Sequence, residues 1–475
     1  MAVTHGWIFF GAMALGIAAS ASRPQLGSHP TVVLALAGSN ALVLLSSNWV
    51  GFAGAMGTAI TLPLTVYPLA QRTMQHHPIR VMLWSWLVAD LLTFFQVLTV
   101  AYAFVPGGKP FRERTWVMLT VSNICLALAL WERPEAKPQL RNIATSPLPL
   151  RTRRTLIALL GTFTIAAFVI SRIRTIDTSK IRPYHNDDGT RVFSAGIQTV
   201  HFGLDQLFYD SSRRMANLYK DLHLDVIGLL ETDLHRSVFG NRDLTQWIAE
   251  DLGMYADIGP KPTDHTWGCV LLSKFPIINT TRHLLPSPHG ELAPALHAVL
   301  DIFGELVNVW VSHNGQEEDA LDRELQTTAI AKVARETYPQ PFIFLGYLVT
   351  RPHAERPSPY RILFEDGRIH DVEPVDMDRW CQYIGFRSVS RVAYVRVSRY
   401  DLTDTELQIA SFRVPDVRNG EPAIDPDEDD RPRLGKEADV PAVLHFPPEY
   451  YDPEALVYER HKYSPWPRPR YYLPL

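Results

Sequence analysis

The chain has 475 residues, of which 46% are hydrophobic, and its formal net charge is −4 at pH 7. This length exceeds one ordinary domain, and the nearly neutral charge argues against a nucleic-acid-binding protein that relies on bulk positive charge. The hydrophobic residues are concentrated in residues 1–175, whereas residues 180–475 have the composition of a soluble protein. We therefore predict a membrane domain followed by a soluble domain.

Apolar segments of membrane-spanning character recur through the first 175 residues. They are Val3–Ala21, Thr31–Ser47, Val50–Ala70, Val81–Val105, Trp116–Trp131 and Thr155–Ser171. Most approach the roughly 20 apolar residues that span a bilayer, although the second and the fifth are shorter. Because the first segment lacks a basic start and further segments follow it, we interpret it as a span rather than a signal peptide. The sequence predicts an all-α transmembrane bundle of about six helices over residues 1–175.

Charged and small residues add detail to this bundle. Basic residues before the last span favour the cytosolic side. They are Arg133, Lys137, Arg141, Arg151, Arg153 and Arg154. We therefore predict that the soluble domain lies in the lumen of the endoplasmic reticulum. Asp90 lies near the middle of the fourth span, where an acid is costly, so it is either a substrate-binding residue or a partner in a helix–helix hydrogen bond. Gly51, Gly54 and Gly57 predict close packing of the third span.

Strands and helices alternate from Arg191 to Phe412. We predict strands at Arg191–Val200, Asp225–Leu230, Trp267–Ser273, Ala295–Asp301, Leu306–Ser312, Pro341–Leu345, Val392–Val397 and Glu406–Phe412. We predict helices at Gln206–Leu222, Arg242–Leu252 and Asp319–Thr337. The concentration of strands between residues 267 and 312 favours a mixed sheet over a purely parallel one.

The soluble part divides into an α/β domain over residues 183–413 and a tail over residues 414–475. The tail is rich in proline and in charges of both signs, so we predict that it is partly disordered or draped over the domain. Cys269 and Cys381 could form a disulfide in an oxidising lumen. Since Cys269 lies within an apolar strand, free thiols are the favoured interpretation.

Polar residues at the ends of apolar strands are the candidate functional residues. They are His201 after the first strand, Glu231 and Asp233 after the second, and His313 and Asn314 after the strand Leu306–Ser312. Arg323 and Gln326 share a face of the next helix, and an arginine fork there suits a phosphate or a carboxylate. The alternative interpretations are structural. The histidines would be structural, Glu231 would cap a helix, and Arg323 would pair with Glu317 or Glu318.

These motifs resemble the endonuclease/exonuclease/phosphatase superfamily, which has the DNase-I-like fold. The similar stretches are DVIGLLETD, WGCVLLSKFPI and VWVSHNG followed by DRELQ, which carry Glu231, His313, Arg323 and Gln326. The resemblance implies a C-terminal α/β DNase-I-like four-layer sandwich. It also implies that Glu231 corresponds to a metal-binding residue and His313 to a catalytic one.

Several positions depart from that superfamily pattern. Tyr347 and Val349 stand where Asp and Asn are expected, and Thr199 stands where the first strand usually has Asn. Ala393 replaces an Asp, and Thr405 replaces the terminal His, although Asp404 is kept. Because a Mg²⁺ nuclease or phosphatase needs most of these groups to hold its metal, the departures argue against that chemistry.

The departures themselves resemble a more specific family, whose members remodel the lipid of glycosylphosphatidylinositol (GPI) anchors. These are the fungal calcofluor-white-hypersensitive proteins and the animal PGAP-two-interacting proteins. The similar stretches include ETDLHR, HTWGCVLLSKFPI, LLPSPHGELAPALHA, SHNGQEED, FLGYLVT and DRWCQYIGFRS. The resemblance covers about residues 190–413 and, less distinctly, the spans. It implies that family members extend further at the N-terminus than this chain.

The resemblance implies exchange of a diacylglycerol-type lipid for ceramide on GPI anchors in the endoplasmic reticulum membrane. We hypothesise phosphoryl transfer at the phosphoinositol, with His313 as general acid/base and Arg323 binding phosphate. Glu231 would hold one divalent cation such as Mg²⁺, or orient His313 if no metal binds. His201, Asp233, Asn314 and Asp404 are further candidates.

The expected partners are GPI lipid or GPI-anchored proteins, ceramide, the membrane and other GPI-remodelling membrane proteins, with no nucleic acid. Two alternative functions stay open. One is a pseudoenzyme that binds GPI and assists another remodelling enzyme, and the other is a hydrolase similar to phospholipase C or sphingomyelinase. A nuclease is the weakest alternative.

Overall fold

We analysed a computed structural model of the chain. It describes residues 2–75, 78–98, 107, 110, 114–131, 147–184, 189–232, 242–260, 267–290, 292–397, 402–429, 442–451 and 469–472. The chain divides into two compact units, Met1–Thr175 and Ile176–Leu475.

The first unit is helical over its described residues. Its helices are α1 (Ala2–Ser22), α2 (Pro30–Leu45), α3 (Asn48–Gln75), α4 (Pro78–Leu98), α5 (Thr115–Trp131) and α6 (Leu150–Arg174), with a short 3₁₀ turn at Pro24–Ser28. Each predicted apolar segment coincides with one of these helices, although the end of Val81–Val105 lies outside the described residues.

Among the described residues, three helices are both long enough and apolar enough to span a membrane. The spans are His5–Ser22, Asn48–Ala70 and Leu150–Lys180, and the apolar helices α2 and α5 are shorter. The chain is therefore a membrane protein. The shorter helices match the two segments that the sequence marked as short for a bilayer.

Close packing between α2 and α3 follows from small residues. A Cβ atom added to Gly54 would lie 2.8 Å from the Ser39 carbonyl oxygen of α2, so only glycine permits this approach. Asn40 on α2 also accepts a hydrogen bond from Thr58 on α3 at 3.0 Å and donates one to Asn123 on α5 at 3.1 Å. These contacts confirm the predicted packing of the third span. Asp90 is half-buried on α4, and its proposed role stays a prediction.

The second unit contains two β-sheets. Its strands are β1 (Val192–Thr199), β2 (Val226–Leu230), β3 (Tyr255–Ile258), β4 (Cys269–Ser273), β5 (Ile277–Leu285), β6 (Ala293–Ile302), β7 (Glu305–Ser312), β8 (Phe342–Tyr347), β9 (His370–Asp371), β10 (Gln382–Arg387), β11 (Ser390–Val397), β12 (Leu407–Arg413) and β13 (Arg470–Tyr472). One sheet has the order β13-β11-β12-β1-β2-β4-β3 and the other the order β5-β6-β7-β8-β10-β9. The pairs β1–β2 and β7–β8 are parallel and the other pairs are antiparallel, so both sheets are mixed, as predicted.

The sheets pack face to face around an apolar core. Gly228 on β2 permits this approach, because a Cβ atom there would lie 3.0 Å from the Cβ of Leu345 on β8. Helices α7 (Ser212–Asp221) and α8 (Leu244–Leu252) cover the outer face of the seven-stranded sheet. Helix α9 (Ala320–Glu336) and the short helical segment Pro359–Asp366 cover the six-stranded sheet. The resulting helix–sheet–sheet–helix arrangement is the predicted four-layer sandwich.

Three details differ from the sequence predictions. Helix α7 begins at Ser212 rather than Gln206, because the buried carboxylate of Asp205 accepts backbone hydrogen bonds from Leu207 and Tyr209 and holds a turn there. Strands β3, β5, β9 and β10 were not predicted. The edge strand β13 in the tail was not predicted either, and its pairing with β11 and the buried Tyr450 agree with the alternative in which the tail is draped over the domain.

All three cysteines are free thiols, as the sequence favoured. Cys269 is buried within β4, and burial raises the pKa of its thiol, so it is a core residue rather than a reactive one.

Candidate functional site

The candidate site lies where β1, β2, β7 and β8 end. Because β1–β2 and β7–β8 are parallel pairs in facing sheets, the four carboxyl ends meet at one edge of the sandwich. Thr199 ends β1, Glu231 follows β2, His313 follows β7, and Tyr347 ends β8. The structure therefore brings together the residues that the sequence identified separately at strand ends.

His313 and Glu231 form the centre of the site. The His313 ring is 1% exposed, and its Nε2 lies 3.4 Å from Glu231 Oε1. Its Nδ1 lies 2.9 Å from the Asn314 carbonyl oxygen, which can only accept, so Nδ1 carries the proton and Nε2 faces Glu231 as an acceptor. This contact fixes both the tautomer and the direction of the reactive nitrogen.

Both groups are neutral near pH 7. Burial raises the pKa of Glu231 to about 8, the nearby charge of Asp404 adds to this shift, and the charge of His201 opposes it. Burial lowers the pKa of His313 to about 3, against the opposing hydrogen bond to the Asn314 carbonyl. At neutral pH the Glu231 carboxyl therefore donates its proton toward an unprotonated His313 Nε2.

Aromatic rings pack against His313. The Trp267 ring stacks on it with a centroid distance of 5.3 Å and an interplanar angle of 20°, and the Tyr347 ring lies 4.5 Å away. The Tyr347 hydroxyl is hydrogen-bonded to Thr199 Oγ1. These rings exclude water from the imidazole, which is the physical reason for its lowered pKa. Sequence analysis missed the contact of Trp267, although this residue opens the motif WGCVLLSKFPI.

Several residues around this pair have strained backbone conformations. Glu231 has φ = 62°, His201 has φ = 46° and Val349 has φ = 50°, all in the left-handed region that non-glycine residues avoid. Hydrogen bonds hold Glu231 in place, since its N–H donates to the Gly268 carbonyl and its carbonyl accepts from Phe202 N–H. Such strained positions cluster at functional sites because the surrounding fold must enforce them.

Arg323, Gln326 and Asn314 hold the loops around His313. Arg323 donates to the backbone carbonyls of Val349 and Glu317, which joins the loop after β8 to the start of α9. Buried Gln326 accepts from Gly315 N–H at 2.7 Å, and the Asn314 amide donates to Thr327 Oγ1 at 3.3 Å. These contacts position the His313 loop, and phosphate binding by Arg323 stays a prediction.

The other predicted residues have different outcomes. Asp404 is half-buried, and its charge raises the pKa of Glu231. The charge of His201 lowers the same pKa. Asp233 lies outside the described residues. Asp90 belongs to the first unit, and the structure gives no test of its substrate role.

Two family models match the chain. The model described as the PGAP2IP C-terminal nuclease-like domain matches residues 190–434, and the model described as the PGAP2IP second transmembrane domain matches residues 1–139. The chain belongs to the PGAP2IP family. This is the family whose motifs the sequence analysis related to GPI lipid remodelling, and its C-terminal domain is nuclease-like, in agreement with the two-sheet fold.

A curated relative agrees with the PGAP2IP assignment. The chain is 43% identical over 392 residues to the protein cwh43 of Schizosaccharomyces pombe. The alignment covers 80% of the chain and 39% of that relative, so the chain spans well under half the length of the curated protein it matches.

Solved structures were also compared with the chain. The human Nocturnin catalytic domain aligns with a TM-score of 0.37 and 15% identity over 47% of the chain and 94% of that structure. Sphingomyelinase C from Streptomyces griseocarneus aligns with a TM-score of 0.34 and 18% identity over 46% of the chain and 99% of that structure.

The described residues near Glu231 offer few oxygen ligands for a divalent metal ion. Magnesium requires several oxygen ligands in octahedral geometry, whereas Tyr347 and Val349 occupy two positions expected to supply ligands. No group of three or more His, Cys, Asp or Glu side chains within the described ranges is arranged to hold a metal. The Glu231 carboxyl contacts His313 in this structure, and its role as a metal ligand stays a prediction.

Proposed function

We propose that this protein remodels the lipid of GPI anchors by exchanging a diacylglycerol-type lipid for ceramide at the phosphoinositol. The observation that carries the proposal is the buried, neutral His313–Glu231 pair at the meeting point of four strand ends. A carboxyl and an imidazole with oppositely displaced pKa values are suited to proton transfer. Membership of the PGAP2IP family and the membrane-spanning helices support a lipid substrate.

The proposed reaction is a transesterification, in which a phosphodiester and the ceramide alcohol give a new phosphodiester and the diacylglycerol alcohol. The ceramide hydroxyl oxygen forms a bond to phosphorus, and the bond from phosphorus to the glycerol oxygen breaks. His313 Nε2 takes the hydroxyl proton, and the Glu231 carboxyl gives its proton to the departing glycerol oxygen. Transfer of a proton from His313 to Glu231 then restores both neutral groups. One phosphodiester replaces another, so no external energy source is required.

The substrate itself would activate His313. A pKa near 3 makes the free imidazole a weak base. The phosphodiester carries a negative charge, and an adjacent negative charge favours the imidazolium, so binding of the substrate would raise the pKa of His313. Water that enters the empty site would be activated poorly by comparison. This difference would favour exchange over hydrolysis.

The first unit would supply the lipid. An apolar groove of about 500 Å³ lies between α1 and α6, with Arg174 among its lining residues. A groove of this kind suits an acyl chain with an anionic group at one end. Asp90 is a further candidate for contact with the polar part of a lipid. We propose that the protein resides in the endoplasmic reticulum membrane with its C-terminal domain in the lumen.

A second candidate function is supported by the substitutions at the site. Tyr347 fills space beside His313 and Val349 replaces a polar group, which favours a pseudoenzyme that binds GPI without transforming it. The two candidates predict different outcomes for His313. A pseudoenzyme needs the shape of the site, whereas an exchange enzyme needs its titrating nitrogen.

Mass spectrometry of GPI-anchor lipids tests the proposal. Cells that lack the protein would be complemented with the wild-type chain, His313→Ala, His313→Gln or the exposed control His353→Ala, alone and together with the part of the fission yeast relative that the chain does not match. We expect ceramide anchors with the wild type and the control, and a loss of roughly 10²-fold or more with both His313 variants. Equal restoration by well-expressed His313 variants would reject the catalytic role and favour the pseudoenzyme.

A further inference from the structure

Three consecutive large apolar residues are exposed beside the candidate site. Leu207 is 54% exposed, Phe208 is 71% exposed and Tyr209 is 69% exposed. They lie in the turn between β1 and α7, which we name the apolar turn (residues 204–210). Scattered exposed apolar residues are ordinary, but three adjacent ones of this size form a patch that indicates an interaction surface.

The apolar turn is built to keep these side chains outward. Buried Asp205 accepts hydrogen bonds from the N–H groups of Leu207 and Tyr209, both at 2.9 Å, and is paired with Arg214. Asp205 N–H donates to the Tyr209 carbonyl at 2.9 Å, and Phe208 adopts φ = 65°. The buried Asp205 carboxylate therefore fixes a backbone conformation that exposes the three apolar side chains of the turn.

The apolar turn is joined to the candidate site. The Phe208 ring lies 5.9 Å from the His201 ring, and His201 influences the charge state of Glu231. Arg242 links the two segments, since it donates to the Phe202 carbonyl at 3.0 Å and pairs with Asp210 at 3.1 Å. A ligand bound to the exposed side chains of the apolar turn would therefore lie close to the His313–Glu231 pair.

Several observations favour lipid as the occupant over a protein partner. Ile176, two residues after the end of α6, packs against the same apolar cluster as Phe202 and the inner face of α7. The domain thus begins directly after a helix of membrane-spanning character. Arg213, three residues beyond Asp210, is exposed and complements lipid phosphate groups. Aromatic and aliphatic side chains flanked by arginine are the composition of segments that lie in a membrane interface.

We propose that Leu207, Phe208 and Tyr209 insert into the interfacial region of the bilayer and hold the domain with its His313–Glu231 pair at the phosphate level. This inference deepens the proposed function, because it gives the route by which a membrane lipid's phosphodiester reaches the site. Contact with lipid does not itself depend on catalysis, so it can be tested separately.

The test uses the full chain in nanodiscs of phosphatidylcholine and phosphatidylinositol that contain a phospholipid with a photoactivatable diazirine in its acyl chain. After illumination, lipid adducts are mapped by mass spectrometry of peptides. We expect adducts on residues 207–209 as well as on the membrane helices, and none on the peptide that carries Ile278, which is 57% exposed on β5. Labelled membrane helices without adducts on residues 207–209 would overturn the inference.

A matched pair of variants separates this surface from catalysis and folding. Phe208→Ser with Tyr209→Ser should reduce adducts on the turn by on the order of tenfold, because two ring burials are lost, whereas Ile278→Ser should not change them. Both variants should unfold at the wild-type temperature, since the replaced side chains are exposed. His313→Ala should keep the wild-type adduct pattern. If lipid exchange persists without adducts on the turn, this inference fails and the proposed function stands; if adducts persist without exchange, the reverse holds.

Discussion

Around β10 and β11, four acids and three arginines are buried together with the half-buried Arg470, whereas at the edge formed by β2 and β7 the Glu231 carboxyl contacts a neutral His313. We name the first group the ion network. It consists of Asp371, Glu373, Asp376, Arg379, Arg391, Arg396, Glu406 and Arg470. Both groups are largely removed from water, with the Glu231 side chain 13% and the Arg470 side chain 14% exposed, but among the described residues opposite charges are paired in the ion network and not at Glu231.

The consequence of this difference is the charge state of the acids. Burial raises the pKa of Asp376, but the charges of Arg396 and Arg379 outweigh it and hold that pKa below its ordinary value. Among the described residues no arginine pairs with Glu231, so burial dominates over the opposing charge of His201 and the pKa of Glu231 rises. The paired charges of the ion network stabilise one arrangement of its loops. The His313–Glu231 pair lacks such pairing and can exchange a proton. The comparison therefore separates a structural polar cluster from a candidate catalytic one.

The largest expected effect on stability comes from the ion network. Arg379 is fully buried and binds both carboxylate oxygens of Asp371, at 2.6 and 2.7 Å. Arg379→Met leaves Asp371 buried without its arginine, so we expect a loss of about 3–5 kcal/mol in unfolding free energy. Pulse proteolysis of the full chain in increasing urea measures this loss.

Arg356→Met is the matched control for that prediction. Arg356 also pairs with two acids, Glu365 and Asp366, but its side chain is 48% exposed. Because solvent screens such surface pairs, we expect Arg356→Met to change the unfolding free energy far less than Arg379→Met does. Equal losses for Arg356→Met and Arg379→Met would contradict the assignment of the ion network as a buried structural element.

A second prediction concerns Glu231→Gln, whose amide resembles the protonated carboxyl. Below pH 4.5 the folded and unfolded wild-type chains both hold this proton. Between pH 4.5 and about 8 the unfolded chain releases it while the folded chain retains it, so the wild type progressively loses stability as pH rises. Gln cannot titrate, and we expect the variant to be more stable than the wild type by on the order of 2–3 kcal/mol at pH 8.5.

Thermal unfolding of the two proteins at pH 5 and pH 8.5 measures this effect. The same variant should lose lipid exchange, because it cannot donate a proton. A gain in stability together with a loss of activity is the signature of a strained functional group, and a structural hydrogen bond would instead lose stability. If Glu231→Gln is less stable than the wild type at pH 8.5, the fold does not penalise the charged carboxylate, and the raised pKa of Glu231 is contradicted.

Much of the site was predictable because its residues follow apolar strands. Glu231 comes directly after the buried run of β2, and His313 directly after β7, so local hydrophobicity identified both. Parallel pairing then determined that these strand ends meet. The neutral state of the pair was not predictable, because it depends on burial by Trp267 and Tyr347, which are distant in sequence.

The ion network shows why other parts of the fold escaped prediction. Arg470 lies 64 residues from its partner Glu406, in a tail whose composition suggested disorder. Strand β5 is largely exposed, with the sequence IINTTRHLL, and lacks the apolar run that marks the buried strands. A strand that depends on ion pairs with distant residues, or that lies at the edge of a sheet, has little sequence pattern of its own from which to predict it.

A third prediction tests whether the tail belongs to the ion network. Arg470 on β13 binds Glu406 at 2.7 Å and Asp378 at 2.9 Å. Because Arg396 still pairs with Glu406 after Arg470→Met, we expect a smaller loss than for Arg379→Met, about 1–2 kcal/mol. Urea unfolding followed by pulse proteolysis measures it, with the exposed Arg418→Met as the control. No loss would show that the tail strand does not contribute to this domain's stability.

The smallest expected effect on stability comes from Tyr347, at the boundary of the site. Tyr347→Phe removes the hydroxyl that bonds to Thr199 Oγ1 but keeps the ring against His313. We expect a loss of about 1 kcal/mol in stability, since one buried hydrogen bond is lost, with lipid exchange largely retained.

Tyr347→Ala opens the packing around His313, so water would enter and the pKa of the imidazole would move back toward its ordinary value. NMR titration of imidazole-labelled histidine would detect that change in Tyr347→Ala and not in Tyr347→Phe. If the two variants titrate alike, the ring does not keep His313 neutral, and the distinction between a compensated cluster and a desolvated pair loses its physical basis.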